Sequence, residues 1–119
     1  MKRTYRPLTS DYRGGQGRLS ISITLVERGD LLDFEKYNKD IDFAEKEFLR
    51  DATEVIENRI HLKKSLQKTG SIQTVELYET SEGVIVEIAR DEFEGLVVES
   101  EDKETINRIF QELLKLQSL

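Results

Sequence analysis

Apolar and polar residues alternate most regularly where Leu19, Ile21, Ile23 and Leu25 are separated by Ser20, Ser22 and Thr24. A period of two is that of a strand with one buried face, so this segment is predicted as a strand with its apolar row toward the core. Arg28-Gly29-Asp30 then reads as a turn, and Leu31, Leu32 and Phe34 as a short helical turn. From about residue 42 the period lengthens. Ala44, Phe48, Ala52, Val55, Ile56, Leu62 and Leu66 form one helical stripe, and a helix is predicted to about residue 68. Asp42 and Glu45 are spaced like a capping pair, and Gly70 lies just past the expected end. The charges run from Asp42, Glu45 and Glu47 to Lys63, Lys64 and Lys68, the direction that suits the helix dipole.

A hairpin follows. With its turn at Thr80-Ser81-Glu82-Gly83, Glu79 faces Val84, Leu77 faces Val86 and Val75 faces Ile88, which collects the strongly apolar pairs on one side. The other side then pairs Tyr78 with Ile85 and Glu76 with Glu87. Opposed carboxylates are destabilising unless solvated or neutralised, so Glu76 and Glu87 form a candidate acid pair or cation site, with a solvated face as the alternative. Leu96 to Val98 centre a further strand, and Ile106, Ile109, Phe110 and Leu113 give a helix beginning near Asp102. The predicted order is β-α-β-β-β-α. Its simplest arrangement is an α+β two-layer sandwich, a four-stranded, mostly antiparallel sheet with the long helix and the C-terminal helix on one face. Ile23, Val86, Ile88 and Phe110 are expected to meet in its core.

The long helix would reach about 40 Å, against about 25 Å for strands of seven or eight residues. An apolar stripe that overhangs its sheet meets a second subunit, so Phe48, Ala52, Val55, Leu62 and Leu66 are candidate oligomer contacts. A kink or an earlier helix end is the alternative.

A chain of 119 residues suits one core. With 35% charged and 37% hydrophobic residues, that core is expected under a heavily charged surface. The absence of cysteine excludes disulfides and thiolate metal sites. No apolar run approaches the ~20 residues that span a bilayer, and "MKRTYRPLTS" has no signal-peptide apolar region, so a soluble, cytoplasmic protein without membrane partners is expected. The net charge of −6 hides an asymmetry. Lys2, Arg3, Arg6, Arg13 and Arg18 face only Asp11 in residues 1–18, whereas residues 19–119 hold the other 13 basic and 23 acidic residues. The chain therefore reads as a basic N-terminal arm, 1–18, before a single acidic domain, 19–119.

Gly14-Gly15-Gln16 resembles the GGQ loop of class I peptide release factors, in which the glycines let glutamine reach the peptidyl-tRNA ester. Here the tripeptide lies in an N-terminal arm ahead of an acidic body, and positive-φ loop glycines account for it more simply. The order of elements resembles that of ribosome-hibernation factors, whose basic surfaces dock on ribosomal RNA. The acidic body argues against an RNA-coating surface. There is no phosphate loop, G-x-S-x-G elbow or H-E-x-x-H. His61, the single histidine, lies among Arg59, Lys63 and Lys64 and reads as a solvated helix residue, and Asp40 and Asp42 read as capping residues. No catalytic residue, metal set or cofactor is assigned. The expectation is a non-enzymatic interaction or regulatory protein that forms a homo-oligomer and binds a protein partner. The alternative is a binder of a phosphate-bearing ligand, nucleotide-like or, less favoured, nucleic acid, through Arg3, Arg6, Arg13, Arg18, Tyr5 and Tyr12. Arginine supplies forked donors there and tyrosine a stacking face. An enzyme built on carboxylates is the third reading.

Overall fold

The computed structural model describes residues 3–11, 19–25, 34–65, 74–91 and 95–117. Strands β1 (Tyr5–Asp11), β2 (Leu19–Leu25), β3 (Lys63–Lys64), β4 (Thr74–Glu79), β5 (Ile85–Asp91) and β6 (Gly95–Ser100) form one sheet. Their order is β1-β2-β6-β5-β4-β3, and every neighbouring pair is antiparallel. Helix α1 (Phe34–Glu54) runs on into a π-helical turn, Val55–Arg59, and α2 (Lys103–Gln117) closes the chain. Side chains of both helices share one buried cluster with Ile21, Tyr78, Val86, Ile88, Leu96 and Val98 of the sheet. The architecture is thus the expected α+β one, with two more strands in the sheet.

The first addition comes from the segment read as an arm. Residues 5 to 11 pair with β2 along their whole length, from Tyr5 opposite Leu25 to Asp11 opposite Leu19. Tyr5 and Pro7 point inward and Arg6 and Leu8 outward. Only a short alternation interrupted by proline marks this strand in the sequence. Pro7 is tolerated because an edge strand has a free side on which a missing N–H costs nothing.

Helix α1 begins earlier than its stripe predicts, so Asp42 and Glu45 lie inside it rather than at its cap. It also stops earlier. Ile60 N–H donates to Val55 O and Leu62 N–H to Ile56 O, both at 2.9 Å, while His61 takes the left-handed conformation with φ 65°. This satisfies the last carbonyls without a glycine, and Gly70 falls outside the described residues. Of the candidate oligomer contacts, Phe48, Ala52 and Val55 are each 0% exposed within the chain's own core. Leu62 packs partly against that core, and Leu66 lies outside the described residues. The helix starts earlier as well as ending earlier, so it is about as long as expected, but its stripe faces the chain's own sheet.

The β4–β5 hairpin is slipped by one residue from the expected register. Glu79 faces Ile85, Tyr78 faces Val86, Leu77 faces Glu87 and Glu76 faces Ile88, with a bulge between Thr74 and Glu76. The connection runs from Thr80 to Val84. Thr80 N–H donates to Val84 O (2.8 Å), Thr80 Oγ1 accepts from Val84 N–H (2.9 Å), and Gly83 supplies φ 86°. One extra turn residue moves the whole strand by one position. Tyr78 joins the core, and Glu76 and Glu87 are not opposite one another. Glu87 faces Glu99 of β6 instead, and Glu76 ion-pairs with Lys64 at 2.7 Å.

In α2, Ile106, Ile109, Leu113 and Leu116 are buried, while Phe110 is half-buried against the cluster rather than central to it. The side chain of Ile23 lies outside the described residues. Leu77, Ala89 and Val97, on the sheet face away from the helix-facing cluster, are buried as well. That face is not the wet one which strict alternation predicts. No helix among the described residues is long and apolar enough to cross a membrane.

Candidate functional site

The inward face of α1 carries two acids beside its apolar residues. Glu47 and Asp51 fall within the series Ala44, Phe48, Ala52 and Val55, and both are buried. A buried carboxylate requires donors, and the N-terminal segment supplies them. Tyr5 Oη donates to Asp51 Oδ2 at 2.6 Å, and Arg3 Nε donates to the same oxygen at 2.8 Å. Thr4 N–H and Thr4 Oγ1 donate to Glu47 Oε1 at 2.7 and 3.1 Å. The Tyr5 ring stands edge-on to Phe48, with centroids 5.2 Å apart. Burial first, and then the hydrogen bond to the Asp51 carboxylate, push the Tyr5 phenol far above its ordinary range.

The residues proposed for anion binding are therefore not gathered into one described site. Arg3 and Tyr5 are engaged by α1, and Arg6 is exposed on the outer face of β1. Arg13, Arg18 and Tyr12 lie outside the described residues, as does Gly14-Gly15-Gln16. Among the described residues, no cluster of three or more His, Asp or Glu side chains is arranged to hold a metal ion.

Clefts lined by described residues lie elsewhere, where the π-helical turn, the β4–β5 turn and the start of α2 meet. Three clefts, of about 650, 590 and 590 Å³, open there, and Asp102 and Glu104 line all three. Asp102 is the N-cap of α2. Its Oδ2 accepts from Thr105 Oγ1 at 2.5 Å, and its own N–H is held by Ser100 Oγ at 3.1 Å. Ser100 Oγ donates in turn to Ile85 O at 2.9 Å, so the cap is tied to both central strands. Glu104, in the first turn, suits the dipole.

Charge is divided across this end. The first cleft carries Arg59, Lys103 and Arg108, and the second carries His61, Lys63, Lys64 and Arg108. The third is lined by Glu82, Glu87, Glu99, Glu101, Asp102 and Glu104, with no lysine or arginine. Some of the cations are already matched. Arg59 pairs with Glu112 at 2.9 Å, and Lys115 pairs with that same Glu112 at 2.9 Å. These two cations, Lys115 foremost, hold the Glu112 carboxyl below its ordinary value. Lys64 is matched by Glu76, whose hydrogen bond raises the ammonium's affinity for its proton. Lys63, Lys103, Arg108, Glu82 and Glu104 make no ion pair among the described residues.

Sequence reading missed Asp51 and Glu47, although the signal was present as acids at helical spacing inside an apolar stripe. It also missed Lys63, Arg108, Glu82 and Glu104, which only the packing of separate elements brings to one end. Comparison with protein-family models, with curated proteins and with solved structures finds no match to this chain.

Proposed function

We propose that this chain is a small interaction protein that engages polypeptide surfaces, a second copy of itself included, through the charged end around the N-terminus of α2. One observation carries the reading, namely that three clefts converge on Asp102 and Glu104 and that the first two also hold Lys63, Lys103 and Arg108, cations with no ion pair among the described residues. A surface of mixed charge suits a protein partner, because complementary pairs steer encounter and fix register while each rim pair contributes only modestly to affinity. A phosphate-bearing ligand would find His61, Lys63 and Arg108 in the second cleft, but also Glu79, Glu82, Asp102 and Glu104. That acidic wall opposes an anion, so the reading as a phosphate binder is second.

The test is affinity capture by the wild-type chain beside the single variants Arg108→Glu and Glu104→Lys, followed by direct titration of each captured protein. The reading requires a partner whose binding weakens at least about tenfold in one of the variants and falls with added salt. Partners that bind both variants as tightly as the wild type would refute it.

A further inference from the structure

We infer that the charged end recognises a second copy of this chain about a two-fold axis, with Lys63 and Arg108 of one copy set against Glu82 and Glu104 of the other. The inference rests on the reading of this end as a protein-binding surface and names its partner. A two-fold interface uses the same patch on both chains, so the patch must complement itself. The second cleft meets that condition. Lys63 and Arg108 line it together with Glu82 and Glu104, and none of the four has an ion pair among the described residues.

Glu104 and Arg108 are one turn apart on α2 and not bonded to each other, so two antiparallel copies of this turn bring each carboxylate to the other's guanidinium. A uniformly basic or acidic segment would meet like charge in half of the cleft, whereas a rotated copy brings two acids and two bases to face Lys63, Arg108, Glu82 and Glu104.

The rest of the described surface resists self-association. The apolar stripe of α1 is buried in the chain's own core. Strand β1, at one edge of the sheet, contains Pro7, and the other edge, β3, is the pair Lys63–Lys64. Proline removes a ladder donor and lysine repels an incoming edge, so neither edge favours an added strand.

The experiment is sedimentation equilibrium of the full chain, 13.8 kDa as a monomer, across concentration at about 50 and about 500 mM salt. The wild type is expected to dimerise at low salt, with at least about tenfold weaker association at high salt. Two variants reverse one half each, Lys63→Glu/Arg108→Glu and Glu82→Lys/Glu104→Lys. Each alone is expected to sediment as a monomer, and an equimolar mixture to form a mixed dimer, because the two reversals complement each other. All four positions bear surface charges, and circular dichroism reports whether the variants keep the fold. A wild type that remains monomeric at low salt, or a reversal that leaves dimerisation unchanged, overturns the inference. If the chain is monomeric but the Arg108 or Glu104 variant loses a captured partner, self-recognition falls and the binding reading stands. If neither is seen, both fall.

Discussion

Tyr5 Oη and Asp51 Oδ2 lie 2.6 Å apart, a hydrogen bond between the first strand and the buried face of α1. Asp51 is 1% exposed, and besides Tyr5 only Arg3 donates to that oxygen among the described residues. Tyr5→Phe keeps the ring packed on Phe48 but removes one donor from a buried carboxylate. A loss of about 1 to 3 kcal/mol in urea unfolding is expected, and a loss below about 0.5 kcal/mol would show that the contact does not hold β1 to α1.

Tyr78 provides the opposite case. Its ring is 0% exposed, and its hydroxyl is buried without a hydrogen bond among the described residues, the Thr53 hydroxyl being a polar neighbour. An orphaned buried hydroxyl carries its full desolvation cost. Tyr78→Phe is therefore expected to be neutral or to stabilise by about 1 kcal/mol, measured in the same urea series. A clear loss would mean that the hydroxyl has a partner in solution.

Both phenols tie stability to alkaline pH. The Tyr5 phenol is pushed above its ordinary value of 10.0 and Tyr78 is raised as well, chiefly by burial in each case. The folded chain thus holds these protons more tightly than the unfolded chain. Their contribution is fully present below pH 10 and is lost as pH rises beyond it, by up to about 1.4 kcal/mol per pH unit for each phenol. Unfolding midpoints between pH 8 and 11 should fall less steeply in Tyr5→Phe/Tyr78→Phe than in the wild type. Equal slopes would refute the assignment.

His61 ends the long helix at φ 65°. A left-handed conformation costs an L-residue about 1 to 2 kcal/mol, partly offset in a glycine variant by the greater freedom of its unfolded chain. His61→Gly is expected to raise stability by about 0.5 to 1 kcal/mol. Destabilisation on thermal unfolding would place another role on the imidazole.

In α2 the buried Ile109 and the half-buried Phe110 separate cleanly. Ile109→Ala is expected to cost about 2 to 5 kcal/mol, the range for a fully buried aliphatic side chain. Phe110→Ala should cost less despite removing a larger side chain, since part of that ring is already in water. A reversed order in denaturant unfolding would mean that α2 is rotated from this placement.

The sequence by itself determined the α+β class, the strand at Leu19–Leu25, the strand centred on Val97 and the final helix beginning near Asp102. Each of these is written in local periodicity or capping, which depend on neighbours a few residues away. Only the tertiary structure decided the register of the β4–β5 hairpin, because apolar residues fill both faces and one extra residue between Thr80 and Val84 selects which face turns inward. It likewise decided that β1 belongs to the sheet, since Tyr5, Arg3 and Thr4 are held by Asp51 and Glu47, more than forty positions away in the chain. The stripe of α1 looked the same whether it faced a second subunit or its own sheet. The burial of Phe48, Ala52 and Val55 against strands distant in the chain decided between them. The charged end belongs to the same class of facts. Lys63, Glu82, Glu104 and Arg108 come from separate elements, and no period relates them until the sheet and the helices bring them to one cleft.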